Sequence, residues 1–230
     1  MCLACVTGAT GPAQQAGAAP SGCAACGQAA PGPGRCPNPW CQRADRGWSV
    51  AFAVAVHAGP LRRVLVDYKY RRQQRWAPVL ARLVAGWLEV HQPWVEDFDV
   101  IVPVPAYLGP GARRGWDPVA ELASHVAGLV GPLWEVATGT VVKTAETPAM
   151  TGRSRLARLA LAEGPLRAAL AVPDPARVAG ARVLVLDDVL TEGSTLREMA
   201  RCLRRAGATE VAGLALSRPT VAGWRRDWSR

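Results

Sequence analysis

The chain has 230 residues, half of them hydrophobic, which suits one medium α/β domain with a small appendage. No apolar run approaches the roughly 18–20 residues a membrane span needs, and Met1-Cys2-Leu3 begins neither a basic nor an apolar leader, so neither a membrane protein nor a secreted one is expected and the default location is the cytoplasm. The net charge of +9 comes from 27 Lys and Arg against 18 Asp and Glu. Only Lys69 and Lys143 among those cations are lysines, so an arginine-biased soluble protein is the plain reading and a polyanion partner the sharper one.

Residues 1–47 are rich in Gly, Pro, Ala and Cys and show no helical or strand period, so this segment needs a staple to hold a shape. Six of the seven cysteines lie in it. In a reducing compartment, Cys-x-x-Cys pairs point to metal more than to disulfides. Cys23-x2-Cys26-x9-Cys36-x4-Cys41 has the form of a four-cysteine zinc site, with Gly27 allowing the tight turn of a knuckle. Four thiolates close the coordination sphere, so the role is folding and not Lewis-acid chemistry. Cys2-x2-Cys5 is a further pair, and its combination with one of the other two pairs is the alternative ligand set. The seventh, Cys202, reads as a small core residue.

Residues 48–230 read as a second unit. Ser49–Val56 is a strand, broken by His57–Pro60, and Leu61–Tyr70 and Arg75–His91 have helical apolar spacing. Arg62, Arg63, Lys69, Arg71, Arg72 and Arg75 interleave here with Tyr68, Tyr70 and Trp76, a mixture that suits single-stranded nucleic acid as well as it suits a solvated surface. Phe98–Val104 is a short buried-type strand ending in prolines. The loop Tyr107–Trp116 leads to a helix from Asp117, its N-cap, to about Leu129. Val136–Lys143 reads as a strand, and Met150–Leu170 as a helix interrupted at Gly164-Pro165.

The last third has the clearest pattern. Arg182–Asp188 is an apolar strand ending in two acids, Leu190–Ser194 a loop, Thr195–Ala206 an amphipathic helix and Glu210–Leu216 the next strand. Leu196, Met199, Ala200 and Leu203 form that helix's apolar stripe, and Arg197, Arg201, Arg204 and Arg205 its solvated face. Strand, helix and strand at this spacing predict an open, mostly parallel α/β sheet with helices on both faces.

The candidate site lies in Val183–Thr195. A strand delivers Asp187 and Asp188 to its carboxyl end, where open α/β sheets bind ligands. Two carboxylates accept hydrogen bonds from a vicinal diol if the strand breaks there and aims both at the ligand. Thr191, Gly193, Ser194 and Thr195 then supply hydroxyls, a permissive backbone and the positive start of a helix, which suits a phosphate. Glu192 is an anion in this loop and is expected to point to solvent.

VLVLDDVLTEGST resembles the motif with which type I phosphoribosyltransferases bind 5-phosphoribosyl-1-pyrophosphate (PRPP), although that family often has Thr where Glu192 stands. Upstream, Asp99–Tyr107 and Ala112–Ala123 resemble a signature of the ComF family, phosphoribosyltransferase-like proteins linked to competence and DNA uptake: a strand into Pro-Val-Pro, then Arg-Gly-aromatic and a helix. Here Trp116 takes the aromatic place and Asp117 one that is often an amide. Val66–Arg71 and Lys143–Arg158 match further stretches, with Met150 at a usual Gln position. The resemblance implies a type I phosphoribosyltransferase fold with an N-terminal zinc module. It also implies PRPP with Mg²⁺ on Asp187, Asp188, Thr191, Glu192, Gly193, Ser194 and Thr195, and pyrophosphate on Val104, Pro105, Ala106 and Arg114, where Arg113 adds charge. Lys69 and Arg71 are candidates for pyrophosphate or DNA. Single-stranded DNA and DNA-uptake proteins are the implied partners. An active nucleobase salvage phosphoribosyltransferase is the alternative, against which stands the lack of an identifiable base-reading hood.

Overall fold

The computed structural model describes Cys23, Ala25, Cys26, Gln28 and residues 36–113, 115–150 and 152–219. Cys2, Cys5 and Arg114 lie outside the described residues.

The chain enters the sheet at β1 (Ala51–Val56) and crosses over through α1 (Gly59–Tyr70) and α2 (Ala77–Val90). It returns as β2 (Val100–Pro103), leaves through α3 (Pro118–Val130) and adds the two-residue edge β3 (Glu135–Val136). After a small excursion come β6 (Arg182–Val189) and β7 (Glu210–Arg218), joined by a helix over Ser194–Arg205. The five strands pair in parallel in the order β1-β7-β6-β2-β3. This is the expected parallel α/β sheet.

Side-chain alternation along the buried strands divides the core in two. Leu184 and Leu186 of β6 point to the face covered by α1, α2 and α3, where Leu61, Leu80, Trp87 and Leu122 are buried. Val183 and Val185 point to the other face, against Leu196, Met199 and Leu203 and against Cys26, Cys36, Trp40 and Trp48 of the cysteine-rich segment. Both faces being dry explains why β6 reads as an unbroken apolar run. Gly213 of β7 lets the last helix come close, since a Cβ there would meet Leu196 at 2.5 Å.

Three expectations need correction. Val136–Lys143 is not one strand. Gly139 turns at φ 76, so Glu135–Val136 pairs with β2 while β4 (Val142–Lys143) pairs antiparallel with β5 (Leu170–Ala171). Met150–Leu170 begins its helix only at α4 (Arg155–Leu161), which Ser154 caps, and passes Gly164-Pro165 in a π-helical turn over Ala162–Leu166. On the final helix, α5 (Ser194–Arg205), Arg197 is not solvated but 2% exposed. Its guanidinium reaches Glu163 at 2.7 Å, Asp45 at 3.0 Å and Glu198 at 3.1 Å, and lies over the Trp40 ring at 4.3 Å. The predicted N-cap Asp117 is observed, accepting from the Val119 and Ala120 N–H groups at 3.0 Å each.

Candidate functional site

The carboxyl ends of β2 and β6 lie side by side, Pro103 opposite Leu186, so the Pro-Val-Pro turn and the acid pair share one rim of the sheet. The pair does not sit where the strand breaks. β6 continues to Val189, so alternation separates the acids: Asp188 is 4% exposed on the α1 face, and Asp187 is half-buried on the α5 side. Asp187 accepts the Asp188 N–H at 2.8 Å. Lys69, in the last turn of α1, forms a salt bridge with Asp188 Oδ2. It is thus held within the site and not on the surface.

These contacts set the charges. Burial first, and then the negative charge of Asp188, push the Asp187 carboxyl up to about 8. Burial pushes Asp188 up as well, but the Lys69 ammonium outweighs it and holds that carboxyl below its usual range. The Lys69 amine is raised, since Asp188 and Asp187 together overcome its own burial. At neutral pH the arrangement therefore favours one ion pair and one protonated carboxyl.

Downstream, Gly193 stands at φ 95, a left-handed conformation that glycine takes without strain, and serves as the N-cap of α5 with no side-chain cap. Among the described residues, the N–H groups of Ser194, Thr195 and Leu196 have no acceptor; the first bond back is from Arg197 to the Gly193 carbonyl at 2.8 Å. Such a row of free donors at the positive end of a helix is a ready anion site. Glu192 does not point to solvent as expected. It is 2% exposed, and its Oε1 accepts from the Ser194 hydroxyl at 3.0 Å and from Arg158 Nε at 3.3 Å. Inside the loop, two donors outweigh the gain of hydration.

The Pro-Val-Pro turn is already engaged. The Val104 N–H donates to the Leu186 carbonyl at 2.9 Å, Pro105 has none, and the Ala106 N–H donates to Asp117 Oδ2 at 2.6 Å. Asp117 therefore braces both the turn and the start of α3. Arg113 is tied to the neighbouring loop through its N–H to Glu146 at 3.2 Å and its guanidinium to the Thr147 carbonyl at 3.4 Å.

The basic–aromatic cluster is only partly a surface. Tyr68 is 1% exposed, donates to the Pro118 carbonyl at 2.6 Å and meets Trp116 edge-on at 5.0 Å. Arg71 is exposed and pairs with Asp67 at 3.0 Å, while Tyr70 is 52% exposed.

On the α5 face, the Sγ atoms of Cys23, Cys26, Cys36 and Cys41 all lie within 4.8 Å of one another. Cys26 and Cys36 are 3.7 Å apart, against the edge of about 3.8 Å that a tetrahedron with ~2.3 Å metal–sulfur bonds requires. The cluster can hold a metal ion. Hydrogen bonding with Cys36 and Cys41 draws the Cys26 thiol well below its usual range, and the same contact with Cys26 pushes Cys36 up to about 12. The Asn38 N–H points at Cys36 Sγ at 3.4 Å.

Sequence reasoning missed what joins this cluster to the loop. Asn38, 0% exposed, caps the turn Pro39–Gln42 by accepting from the Trp40 N–H and donates through Nδ2 to the Glu192 carbonyl at 2.9 Å. Arg218, at the end of β7, donates to the Cys26 carbonyl and to the Thr191 carbonyl at 3.4 Å. Pro-Asn-Pro between two cysteines signals the cap; nothing local signals the long-range bonds.

A family model described as the phosphoribosyl transferase domain matches residues 110–218. The DNA utilization protein YhgH of Salmonella typhimurium is 31% identical over 206 residues, covering 85% of this chain and 83% of its own length. That of Escherichia coli strain K12 is 29% identical over 175 residues, covering 74% and 73%. A solved hypoxanthine phosphoribosyltransferase from Staphylococcus aureus shares 10% identity at a TM-score of 0.36, covering 64% of this chain and 65% of that one, just under two thirds of its length. No helix among the described residues is long and apolar enough to cross a membrane.

Proposed function

The chain belongs to the ComF family of phosphoribosyltransferase-domain proteins, and on that premise we propose that it binds PRPP at the rim formed by β2 and β6 and serves in the handling of DNA. In this reading Asp187 and Asp188 receive the ribose hydroxyls, Thr191–Thr195 take the 5-phosphate, and the turn Val104–Ala106 with Arg114 faces the pyrophosphate and its Mg²⁺. Lys69 reaches the same ligand from α1. The four cysteines hold Zn²⁺ as a structural ion, residues 1–47 forming that module and 48–230 the catalytic-type domain. The protein works in the cytoplasm, with single-stranded DNA and DNA-uptake proteins as partners.

One observation carries the reading: the free N–H groups of Ser194, Thr195 and Leu196 follow a left-handed Gly193, within one loop of the acid pair Asp187 and Asp188 at the end of a central strand. The names of the curated relatives support the DNA link. Exposed Tyr70 beside Arg71 supports a nucleic-acid contact at the edge of the site.

Titration calorimetry with PRPP and Mg²⁺ tests the first part. The double change Asp187→Ala and Asp188→Ala should abolish binding in a protein that still unfolds cooperatively, and an unchanged affinity refutes the assignment. For the second part, fluorescence anisotropy of labelled single-stranded DNA should rise at low salt and fall as salt is added. Absence of any rise at low salt removes the DNA partner from the proposal.

A further inference from the structure

Glu192 has the wrong charge for a phosphate's neighbour, yet it is buried in the middle of the phosphate loop. Its side chain is 3% exposed. Oε1 takes the Ser194 hydroxyl and Arg158 Nε, while Oε2 is buried and has no donor among the described residues. A carboxylate oxygen without a donor is unfavourable away from water. The loop thus holds an anion that is bound well by one oxygen and poorly by the other.

The donors it engages are those a phosphate on this loop would use. Ser194 begins α5, and its hydroxyl stands beside the free N–H groups of Ser194, Thr195 and Leu196. Arg158 has a second anchor, Nη1 donating to the Arg153 carbonyl at 3.3 Å, so it is held at the loop independently of Glu192. A phosphate monoester carries up to two charges and three free oxygens, where the carboxylate has one charge and two oxygens. It can satisfy the hydroxyl, the guanidinium and the helix N–H groups together.

We propose that Glu192 is a displaceable internal anion that occupies the phosphate loop of the unliganded protein, and that a phosphate monoester evicts it and takes over Ser194 and Arg158. The proposal rests on the PRPP reading of this loop and adds a threshold to it. Binding must first break the Glu192 contacts, so the site fills only at higher ligand concentration than the same loop without this acid. Arg158, from α4, becomes a phosphate ligand.

Glu192→Gln keeps the size and removes the charge; Glu192→Thr removes the carboxylate altogether. Calorimetry on the full-length, metal-loaded chain with PRPP and Mg²⁺, ribose 5-phosphate and inorganic phosphate should show each variant binding at least tenfold tighter than the parent. Gains for PRPP and ribose 5-phosphate without one for inorganic phosphate identify a sugar phosphate as the evicting ligand, and a gain for all three a phosphate group as such. Arg158→Met should lose at least tenfold and should cancel the gain when combined with Glu192→Gln. Circular dichroism and thermal melts establish that the variants fold. If the parent binds PRPP and both Glu192 variants bind it no tighter, the internal anion is refuted while the PRPP reading stands. If no protein in the set binds any of the three ligands, both fall.

Discussion

Replacing Lys69 by Met should make the stability of this protein steeply dependent on pH. Met keeps the apolar stem and removes the one cation that, among the described residues, forms a salt bridge with Asp188, whose side chain is 5% exposed. In the parent, Lys69 holds the Asp188 carboxyl below its usual range against burial, so this group adds no penalty on folding at neutral pH. Without the ammonium, burial, the largest influence on this carboxyl, is opposed by the weaker hydrogen bonds from Asp187 and the Val189 N–H. Asp188 then carries a raised value in the folded state, against about 3.9 when unfolded. A carboxyl raised by folding leaves stability intact below the unfolded value and removes it progressively as pH climbs towards the folded value.

The slope is at most about 1.4 kcal/mol for each pH unit, so this penalty rises to no more than about 1.5 kcal/mol at pH 5 and about 4 kcal/mol at pH 7. The latter agrees with the roughly 3–5 kcal/mol expected on removing one partner of a buried ion pair. Asp187 shifts with it, because the same ammonium opposes the burial that raises that carboxyl, so the pair contributes together to the difference. Urea unfolding of both proteins at pH 5, 6 and 7 measures it. A loss that stays constant over that range would mean that Lys69 matters through packing, and the electrostatic account of the acid pair would be wrong. Lys69→Arg, which keeps the charge, should recover most of the stability at pH 7.

Asp117→Ala removes the acceptor of three N–H groups, at Ala106, Val119 and Ala120, and should cost about 1–2 kcal/mol in urea unfolding with faster hydrogen exchange at Ala106; unaltered exchange there would separate the Pro-Val-Pro turn from the cap. Stripping metal from the cysteine cluster with a chelator should speed exchange not only around residues 36–41 but also at Thr191–Leu196, because Asn38 and Arg218 tie the two together. If only the cysteine segment loosens, the tie is inert.

The fold was readable where local pattern and burial agree. Leu184 and Leu186 on one face and Val183 and Val185 on the other leave β6 no alternation, and a run of that kind next to an amphipathic helix has few other uses. Asp117 was readable as a cap because capping is decided within three residues. Val136–Lys143 misled because a single glycine turn redirects the chain between two sheets, and apolar content alone does not reveal it. Arg197 misled for a different reason. Helical spacing placed it among the other arginines, but Asp45 and Glu163, 152 and 34 residues away, make its burial tolerable. Glu192 belongs with Arg197: its partner Arg158 is 34 residues distant, so no local pattern foretells an acid facing inward.

Glu192 and Arg197 share a location, and it assigns the cysteine segment a larger part than stapling itself. Ala25 accepts the Ala51 N–H at 2.8 Å along the open edge of β1, the kind of edge that would otherwise be available to other chains. From there Asn38 and Arg218 bond the carbonyls of Glu192 and Thr191, and Trp48 lies 3.7 Å from where a side chain on Gly193 would begin. Asp45 and Trp40 hold Arg197 in the first turn of α5. These two carbonyls belong to the peptides of the Glu192 and Gly193 N–H groups, so residues packed with the cysteine segment fix the loop directly ahead of the Ser194, Thr195 and Leu196 donors. A loop braced in this way needs the cysteine segment to be folded before it can present its donors, which is a physical reason for the two to occur in one chain.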